Sequence, residues 1–392
     1  MRVAYVAAAP FISGAERSLQ TTIVHVADAG IEPVVICPPA SPLIDWCRAN
    51  AMPVYTSPLP LRDKWHPLRW ITGVRRMRAL LTELRVDVVH SNQLWSYPVV
   101  GAAGLDLGIP RVLHIRDECS SAALAWFVRS GVEGVISISR HIGRQVELGW
   151  PATVRKPRIW TALNPVSLDP VLLDPVQMPT VQIETMPLQA AARESLGIDS
   201  DSVVFGFIGQ IAPVKGLLEL IGALDALPAT RPWKLLIAGR DSHGGAYHRA
   251  CVERVAALGL EQQVTFIGFL DDVAKFYHAI DVAVVPSLEE PMGRIPLEAG
   301  SYGKPAIAFA VGGLPEVVLD GITGWLVPPG DFAAFRAAML TFIEHPSSTF
   351  GAAAMEFVVT TCDPRGYVKR LASIYQQLLE QHPAVHRRFA GL

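Results

Sequence analysis

Short apolar runs alternate with longer amphipathic segments along almost the whole chain. In the first half, residues 3–8, 33–37, 86–90, 111–115 and 134–138 are brief, rich in Val and Ile, and closed by turn or polar residues. That is the pattern of strands buried on both faces. Between them, residues 15–29, 68–84 and 140–148 carry apolar positions at helical spacing. Strand–helix alternation of this kind predicts an α/β fold with a parallel sheet covered on both sides. Ligands of such sheets bind at the carboxyl ends of the strands.

Residues 164–187 interrupt the rhythm. Pro165, Pro170, Pro175, Pro179 and Pro187 stand too densely for helix interiors or central strands, so the segment reads as a linker. The alternation then restarts, with strands predicted at 203–208, 234–238, 264–267, 282–286, 305–308 and 324–327. Residues 366–381 form a last helical segment with no strand after it. The expected organisation is two doubly wound, Rossmann-like domains facing across a cleft, residues 1–187 including the linker and residues 188–365. Residues 366–392 follow as a terminal helix returning toward the first domain.

A chain of 392 residues that is 50% hydrophobic and 18% charged can bury two cores. The net charge of −2 argues against a general nucleic-acid binder. Residues 1–198 carry 19 Lys and Arg against 16 Asp and Glu, and the rest 15 against 20, so the two halves suit different partners. Cys37, Cys47, Cys119, Cys251 and Cys362 stand far apart, as in a reduced compartment. The apolar start is too short for a secretory signal. No run approaches the ~18 apolar residues of a membrane span. The expected location is cytoplasmic, with room for peripheral docking on the inner face of a membrane. Residues 62–78 are the candidate for that docking: Trp65 and Trp70 are interleaved with Arg62, Lys64, Arg69, Arg75, Arg76 and Arg78. The alternative is a solvated basic helix face whose Trp and Leu pack inward.

The chemistry concentrates in the segment from Pro286 to Ala299. Glu290 and Glu298 stand eight positions apart across a strand-to-helix junction, where Gly293 permits a tight turn and Pro296 suits a first helical turn. The amides of residues 293–295 and the positive helix end make a phosphate site. Carboxylates beside it suit the hydroxyls of a sugar and a ribose. The plain alternative is an acidic helix start. Residues 205–216 form a strand, a turn at Gly209, and a Lys215-Gly216 pair that can reach a diphosphate. Residues 312–330 supply another glycine-rich loop.

These three segments together resemble the signature of the retaining glycosyltransferases of family 4, which have the GT-B fold. The matching residues are Lys215-Gly216, the pair Glu290 and Glu298 with Ala299 and the run to Gly303 and Pro305, then Gly312-Gly313-Leu314-Pro315-Glu316, and the stretch ending Pro328-Pro329-Gly330. Ser13-Gly14-Ala15-Glu16, the strand ending at His90, and Asn164-Pro165-Val166 resemble the family more loosely. The resemblance implies a nucleotide-diphosphate sugar as donor and co-substrate, with no cofactor and no metal site. It implies a carbohydrate, lipid-linked or small-molecule hydroxyl acceptor, in polysaccharide or glycoconjugate biosynthesis, and a metal-independent, hexosyltransferase-like enzyme. By the same resemblance Lys215 would bind the diphosphate, Glu290 the transferred sugar and Glu298 the ribose. Gly14 would let the first loop approach the diphosphate, and His114 would stand near the reacting centre. His90 falls on the acceptor side. Gly209, Gln210, Gly293, Arg294 and Ile295 complete the expected donor set, with His114, Lys215 and Glu290 as the catalytic group.

The sequence departs from the family where Gln210 replaces the usual arginine and Ser13 the first glycine. Arg294, or else Arg240, is the candidate for the missing positive charge; the competing role for Arg294 is an ion pair with Glu290 or Glu298. Competing readings are a sugar-nucleotide epimerase or phosphorylase of the same architecture, or a non-catalytic nucleotide-sugar-binding relative. A dinucleotide dehydrogenase is disfavoured, because neither half opens with the Gly-x-Gly-x-x-Gly turn.

Overall fold

The computed structural model describes all residues except 9, 62–64, 168–177, 228–230, 242–243, 271, 347 and 383–392. The chain divides into two compact units. One is Met1–Pro165 together with the stretch that begins at Asp363, and the other is Val166–Cys362.

In the first unit, β1 (Arg2–Val6), β2 (Glu32–Cys37), β3 (Val54–Thr56), β4 (Val88–Ser91), β5 (Arg111–Ile115), β6 (Gly134–Ser137) and β7 (Arg158–Thr161) form one parallel sheet. Its order is β3-β2-β1-β4-β5-β6-β7, with the reversal of a doubly wound fold beside β1. The connecting helices are α1 (Gly14–His25), α2 (Leu43–Ala49), α3 (Pro67–Glu83), α4 (Tyr97–Leu107), α5 (Ser121–Phe127) and α6 (Arg140–Gly149). Alternate strand residues fill two separate cores, as a period of two demands. Val3, Tyr5, Val35, Val112 and Ile136 pack with Leu19 and Ile23 of α1. Ala4, Val6, Val34, Ile36 and Val89 pack with Met77 and Leu81 of α3.

The second unit repeats the plan. It contains α7 (Met178–Ser195), β8 (Val203–Ile208), α8 (Leu217–Ala223), β9 (Trp233–Ala238), α9 (Ala246–Ala257), β10 (Val264–Gly268), α10 (Ala274–Ala279) and β11 (Val282–Val285). It continues with α11 (Arg294–Ser301), β12 (Ala306–Phe309), α12 (Leu314–Val317), β13 (Gly324–Val327), α13 (Phe332–Glu344) and α14 (Ser348–Thr361). Its parallel sheet runs β10-β9-β8-β11-β12-β13. The final helix, α15 (Pro364–Glu380), belongs to the first unit, where Tyr367, Val368, Leu371, Ile374, Tyr375 and Leu378 enter the core of β1 and β5.

Three expectations need correction. The linker expected at 164–187 is partly helix: α7 starts at Met178 and carries Pro187 in its interior, while residues 168–177 lie outside the described ones. Tertiary anchoring overrides the proline signal, since the end of α7 is tied down by Arg193, which reaches Asp281 at 2.7 Å and the Ala279 carbonyl at 3.0 Å. The boundary between units therefore falls after Pro165 rather than after residue 187. At the other end it falls at Asp363, whose carboxylate caps α15 through the Gly366 amide at 2.7 Å. The sequence pattern also missed β3 and β7, the two edge strands of the first sheet, whose residues are half-buried or exposed and so show no apolar run.

The part of α15 in the first core gives a stability test. Leu371 is 1% exposed, and Leu371→Ala is expected to cost about 2–4 kcal/mol in a urea titration that follows the first unit.

Candidate functional site

In the second unit the predicted donor residues gather at the carboxyl ends of the adjacent strands β8 and β11. The β8 loop passes Gly209 and the exposed Gln210, then makes a short 3-10 turn at Pro213–Lys215. Gly216 closes that turn with φ 64°, and its α-carbon lies so close to the loop after β11 that a Cβ would stand 2.2 Å from the Pro286 carbonyl oxygen. Only glycine permits this approach. The two loops are further joined by the Leu288 amide, which donates to the Val214 carbonyl at 2.8 Å.

This join sets Lys215 against Glu290. The ammonium lies 2.7 Å from the carboxylate, and both side chains are largely buried, at 20% and 13% exposure. The Glu290 backbone is seated by the third loop. The Gly313 amide donates to the Glu290 carbonyl at 2.9 Å, and a Cβ on Gly312 would fall 2.0 Å from that same oxygen. The Gly312-Gly313 pair is thus a backbone seat for the acidic loop.

Gly293 caps α11 with φ 100°, and Arg294 is the first residue of the helix. Arg294 Nε donates to Glu298 Oε1 at 2.5 Å, one helical turn on. Glu298 therefore stands in the second turn of the helix. Its other oxygen accepts from the Tyr277 hydroxyl at 2.8 Å. Burial and the neighbouring Glu298 carboxylate push the Tyr277 phenol well above its ordinary range, so it remains a donor. The Ile295 side chain packs over Gly209, 3.5 Å from where a Cβ would stand, which brings the α11 start and the β8 loop together.

Beside them a cavity of about 390 Å³ is lined by Ile211, Gly239, Arg240, His248, Phe266 and Phe269, among others. The Arg240 guanidinium lies 4.1 Å above the Phe269 ring. The Gly209 amide donates to Ala238 and the Ile211 amide to Arg240, both at 3.0 Å, so this cavity and the Lys215 loop share one wall. Nothing in the sequence pattern had marked Phe269 or His248. Among the described residues, no group of three or more His, Cys, Asp or Glu is placed to hold a metal ion.

Gly14 and His114 belong to the first unit. Ser13 caps α1 in a reciprocal box with Glu16, and Gly14 is the first helical residue. The serine that departs from the family pattern thus has a structural role. Glu16 is fully buried and also accepts from the Gln93 side chain.

His114, at the end of β5, is fully buried in a chain of polar groups. Its Nδ1 lies 3.2 Å from Arg116 Nη2 and 3.3 Å from His90 Nε2. Arginine can only donate, so His114 Nδ1 must be the unprotonated nitrogen and Nε2 must carry the hydrogen. His90 Nε2 then donates to His114, which leaves His90 Nδ1 to accept from the Tyr375 hydroxyl at 2.6 Å. Among the described residues His114 Nε2 has no hydrogen-bond partner. It is a neutral, oriented N–H donor. Burial, Arg116 and His90 hold the imidazole well below its usual pKa. His90, expected on the acceptor side, is 2% exposed and orients His114 through the bond to its Nδ1. Asn164 accepts from Arg116 at 2.5 Å, which ties the Asn164-Pro165-Val166 segment to the same network.

Known proteins agree with this architecture. Residues 13–157 match the model of the glycosyl transferase 4-like domain, and residues 189–354 that of glycosyl transferases group 1. The chain belongs to the family-4 type of glycosyltransferases, with the two parallel-sheet units of the GT-B class. A D-inositol 3-phosphate glycosyltransferase of Mycobacterium sp. (strain JLS) is 36% identical over 188 residues, 47% of this chain and 42% of that protein. A second, from Catenulispora acidiphila, is 38% identical over 177 residues, 42% of this chain and 41% of that protein. The match thus spans less than half the length of these curated relatives. Among solved structures, Anabaena HepE in complex with UDP superposes with a TM-score of 0.80 at 21% identity, covering 96% of this chain and 100% of that one. Sucrose-phosphate synthase from Thermosynechococcus elongatus gives 0.76 at 21% identity, covering 97% and 99%.

The histidine network has a pH consequence. His90 is held down to about 3, first by burial and then by Arg116. Its unfolded value is about 6.5, so the unfolded chain binds the extra proton first, and stability falls as pH drops from about 6.5 toward 3. Urea titrations at pH 7 and 4.5 should show a smaller loss for His90→Gln than for the native chain.

Proposed function

We propose that the protein is a retaining glycosyltransferase that moves a hexosyl group from a nucleotide-diphosphate sugar to a hydroxyl acceptor, without a metal ion. The observation that carries this reading is the pair of ion pairs, Lys215–Glu290 and Arg294–Glu298, set around one helix start. A lysine has three N–H donors. One is engaged by Glu290, and the others can turn to a diphosphate at the α11 amides. Glu290 then faces the hydroxyls of the sugar and Glu298 those of the ribose. The adjoining cavity suits a nucleoside, with the Arg240–Phe269 stack beside it. Structures of related fold hold UDP, which supports a nucleotide ligand.

In this reading the bond from the anomeric carbon to the diphosphate breaks as the bond to the acceptor oxygen forms on the same face. The acceptor's proton passes to the departing phosphate oxygen. Lys215 and the helix amides stabilise the charge that develops there. Arg294 supplies the positive charge absent at Gln210, and His114, in the first unit, offers its Nε2 hydrogen to a sugar oxygen.

Lys215→Ala is expected to lower kcat by about 10²–10³-fold. Arg294→Ala is expected to weaken nucleotide-sugar binding about tenfold, read by thermal shift with UDP-, GDP- and ADP-sugars. Unchanged donor affinity in Arg294→Ala removes that residue from the site. Conversion of the nucleotide sugar itself in the absence of acceptor points to an epimerase instead.

The acceptor side involves a membrane surface in the same reading. Trp70 packs against the core as the alternative reading had it, whereas Trp65 and Leu68 are 76% and 75% exposed and Ile71 lies on the same side of α3. Arg69, Arg75, Arg76 and Arg78 are exposed around them, while residues 62–64 lie outside the described ones. Apolar side chains among arginines suit an anionic bilayer. Among the described residues no helix is long and apolar enough to cross a membrane. Co-sedimentation with phosphatidylglycerol vesicles should exceed that with phosphatidylcholine, and Trp65→Ser with Leu68→Ser should abolish the difference. Equal binding to both vesicles contradicts the membrane assignment.

A further inference from the structure

A second cavity, of about 180 Å³, opens within the first unit at the carboxyl ends of β4 and β5. It is lined by Trp95, Arg116, Asp117, Glu118, Cys119 and Phe127, among others, and none of these belongs to the donor set. Its volume lies below the ~300 Å³ at which pockets for drug-sized ligands begin, and suits a single small ring.

Two of its features select the ligand. The first is apolar. Trp95 is 52% exposed, yet its indole is braced edge-on by Phe127, with ring centroids 5.3 Å apart at 82°. Phe127 is in turn braced by Trp126 at 4.8 Å and 88°. An indole fixed by packing and half open to solvent offers a rigid, electron-rich face. The second is the sign of the available charge. Arg116 lines the cavity, but its guanidinium is consumed: it donates to the Asn92 backbone and side chain and to Asn164, and contacts His114. Asp117, by contrast, is exposed and makes no hydrogen bond within the described residues. Glu118 shares one oxygen with His141 at 3.1 Å and keeps its other one available. The groups free to meet a ligand are hydrogen-bond acceptors bearing negative charge.

We infer that this cavity is the acceptor subsite and that the acceptor enters it as an uncharged sugar ring. The ring's C–H face lies on Trp95, and its hydroxyls donate to Asp117 and Glu118. A phosphorylated or carboxylated ring is excluded, because the site has two carboxylates and its only lining guanidinium is already satisfied. Cys119 takes no covalent part, since burial pushes its thiol up and away from the thiolate. The inference rests on the glycosyltransferase reading and extends it to the class of acceptor.

The test is saturation-transfer NMR on the full chain with methyl α-D-glucopyranoside, methyl β-D-galactopyranoside and D-myo-inositol 3-phosphate as probes. A mixture of UDP, GDP and ADP in the same sample reports the donor site. The native chain should saturate the ring protons of at least one glycoside and leave the inositol phosphate unbound. Trp95→Ala and Asp117→Asn should each weaken glycoside binding by about tenfold or more. Both residues belong to the first unit, so an unchanged urea unfolding curve of that unit serves as the control for intact protein. Asp117→Lys should admit the inositol phosphate. Binding of the inositol phosphate as tight as that of the glycosides, absence of glycoside binding, or indifference to both substitutions overturns the inference. Loss of nucleotide binding alongside retained glycoside binding refutes the donor reading and leaves this cavity assignment standing.

Discussion

Three loops at the carboxyl ends of β8, β11 and β12 touch one another backbone to backbone, with glycine at the points of contact. Gly216 lies against the Pro286 carbonyl and Gly312 against that of Glu290, at separations that no Cβ could share. Everything else in the second unit's site follows from this contact. It places Lys215 opposite Glu290, and it holds the Glu290 peptide at the foot of α11, where Arg294 and Glu298 form the neighbouring pair. Two cations and two anions half-removed from water are kept neutral as pairs. Neutral pairs tolerate burial, whereas any one of the four alone would be strongly disfavoured. The arrangement therefore stores charges of both signs beside a helix start without a net field.

The first unit uses polar groups differently. Its central histidine is fixed by a one-directional chain of donors, from Tyr375 to His90 to His114, with Arg116 as the second donor to the same nitrogen. Because arginine cannot accept, the direction of the whole chain is determined. The remaining His114 nitrogen, Nε2, is then a donor whatever the buffer between neutral and mildly acidic pH. A histidine in this state polarises and positions; it does not exchange protons.

Much of this was legible in the residues. Strands β5, β8 and β13 fall where the apolar runs put them, because strands buried on both faces leave an uninterrupted signal. Edge strands β3 and β7 leave none. The glycine-rich segments announced the second unit's site, since close backbone approach demands glycine whatever the surrounding sequence. The resemblance to the family singled out Lys215, Glu290 and Glu298 from the sequence. The alternative pairing for Arg294 proved to be the one present, with Glu298 at helical spacing. The cavities at Phe269 and Trp95 were illegible, because they arise from residues brought together by strand order rather than by spacing along the chain. The proline-rich stretch misled for a related reason. Local propensity favoured a loop, and the anchoring of Arg193 by a residue far along the sequence decided for helix.

The return of α15 to the first unit has a bearing on how the molecule comes into being. The second unit is one continuous stretch of chain and has all its parts once Cys362 has left the ribosome. The first unit, although begun earlier, lacks Val368, Leu371 and Tyr375 until the whole second unit has been made, and the core that they share with β1 and α1 stays incomplete without them. Birth order and completion order are thus reversed. A nascent chain that has emerged only as far as Cys362 carries a finished second unit and an unfinished first one, with apolar side chains of β1 and β5 still short of their closing helix.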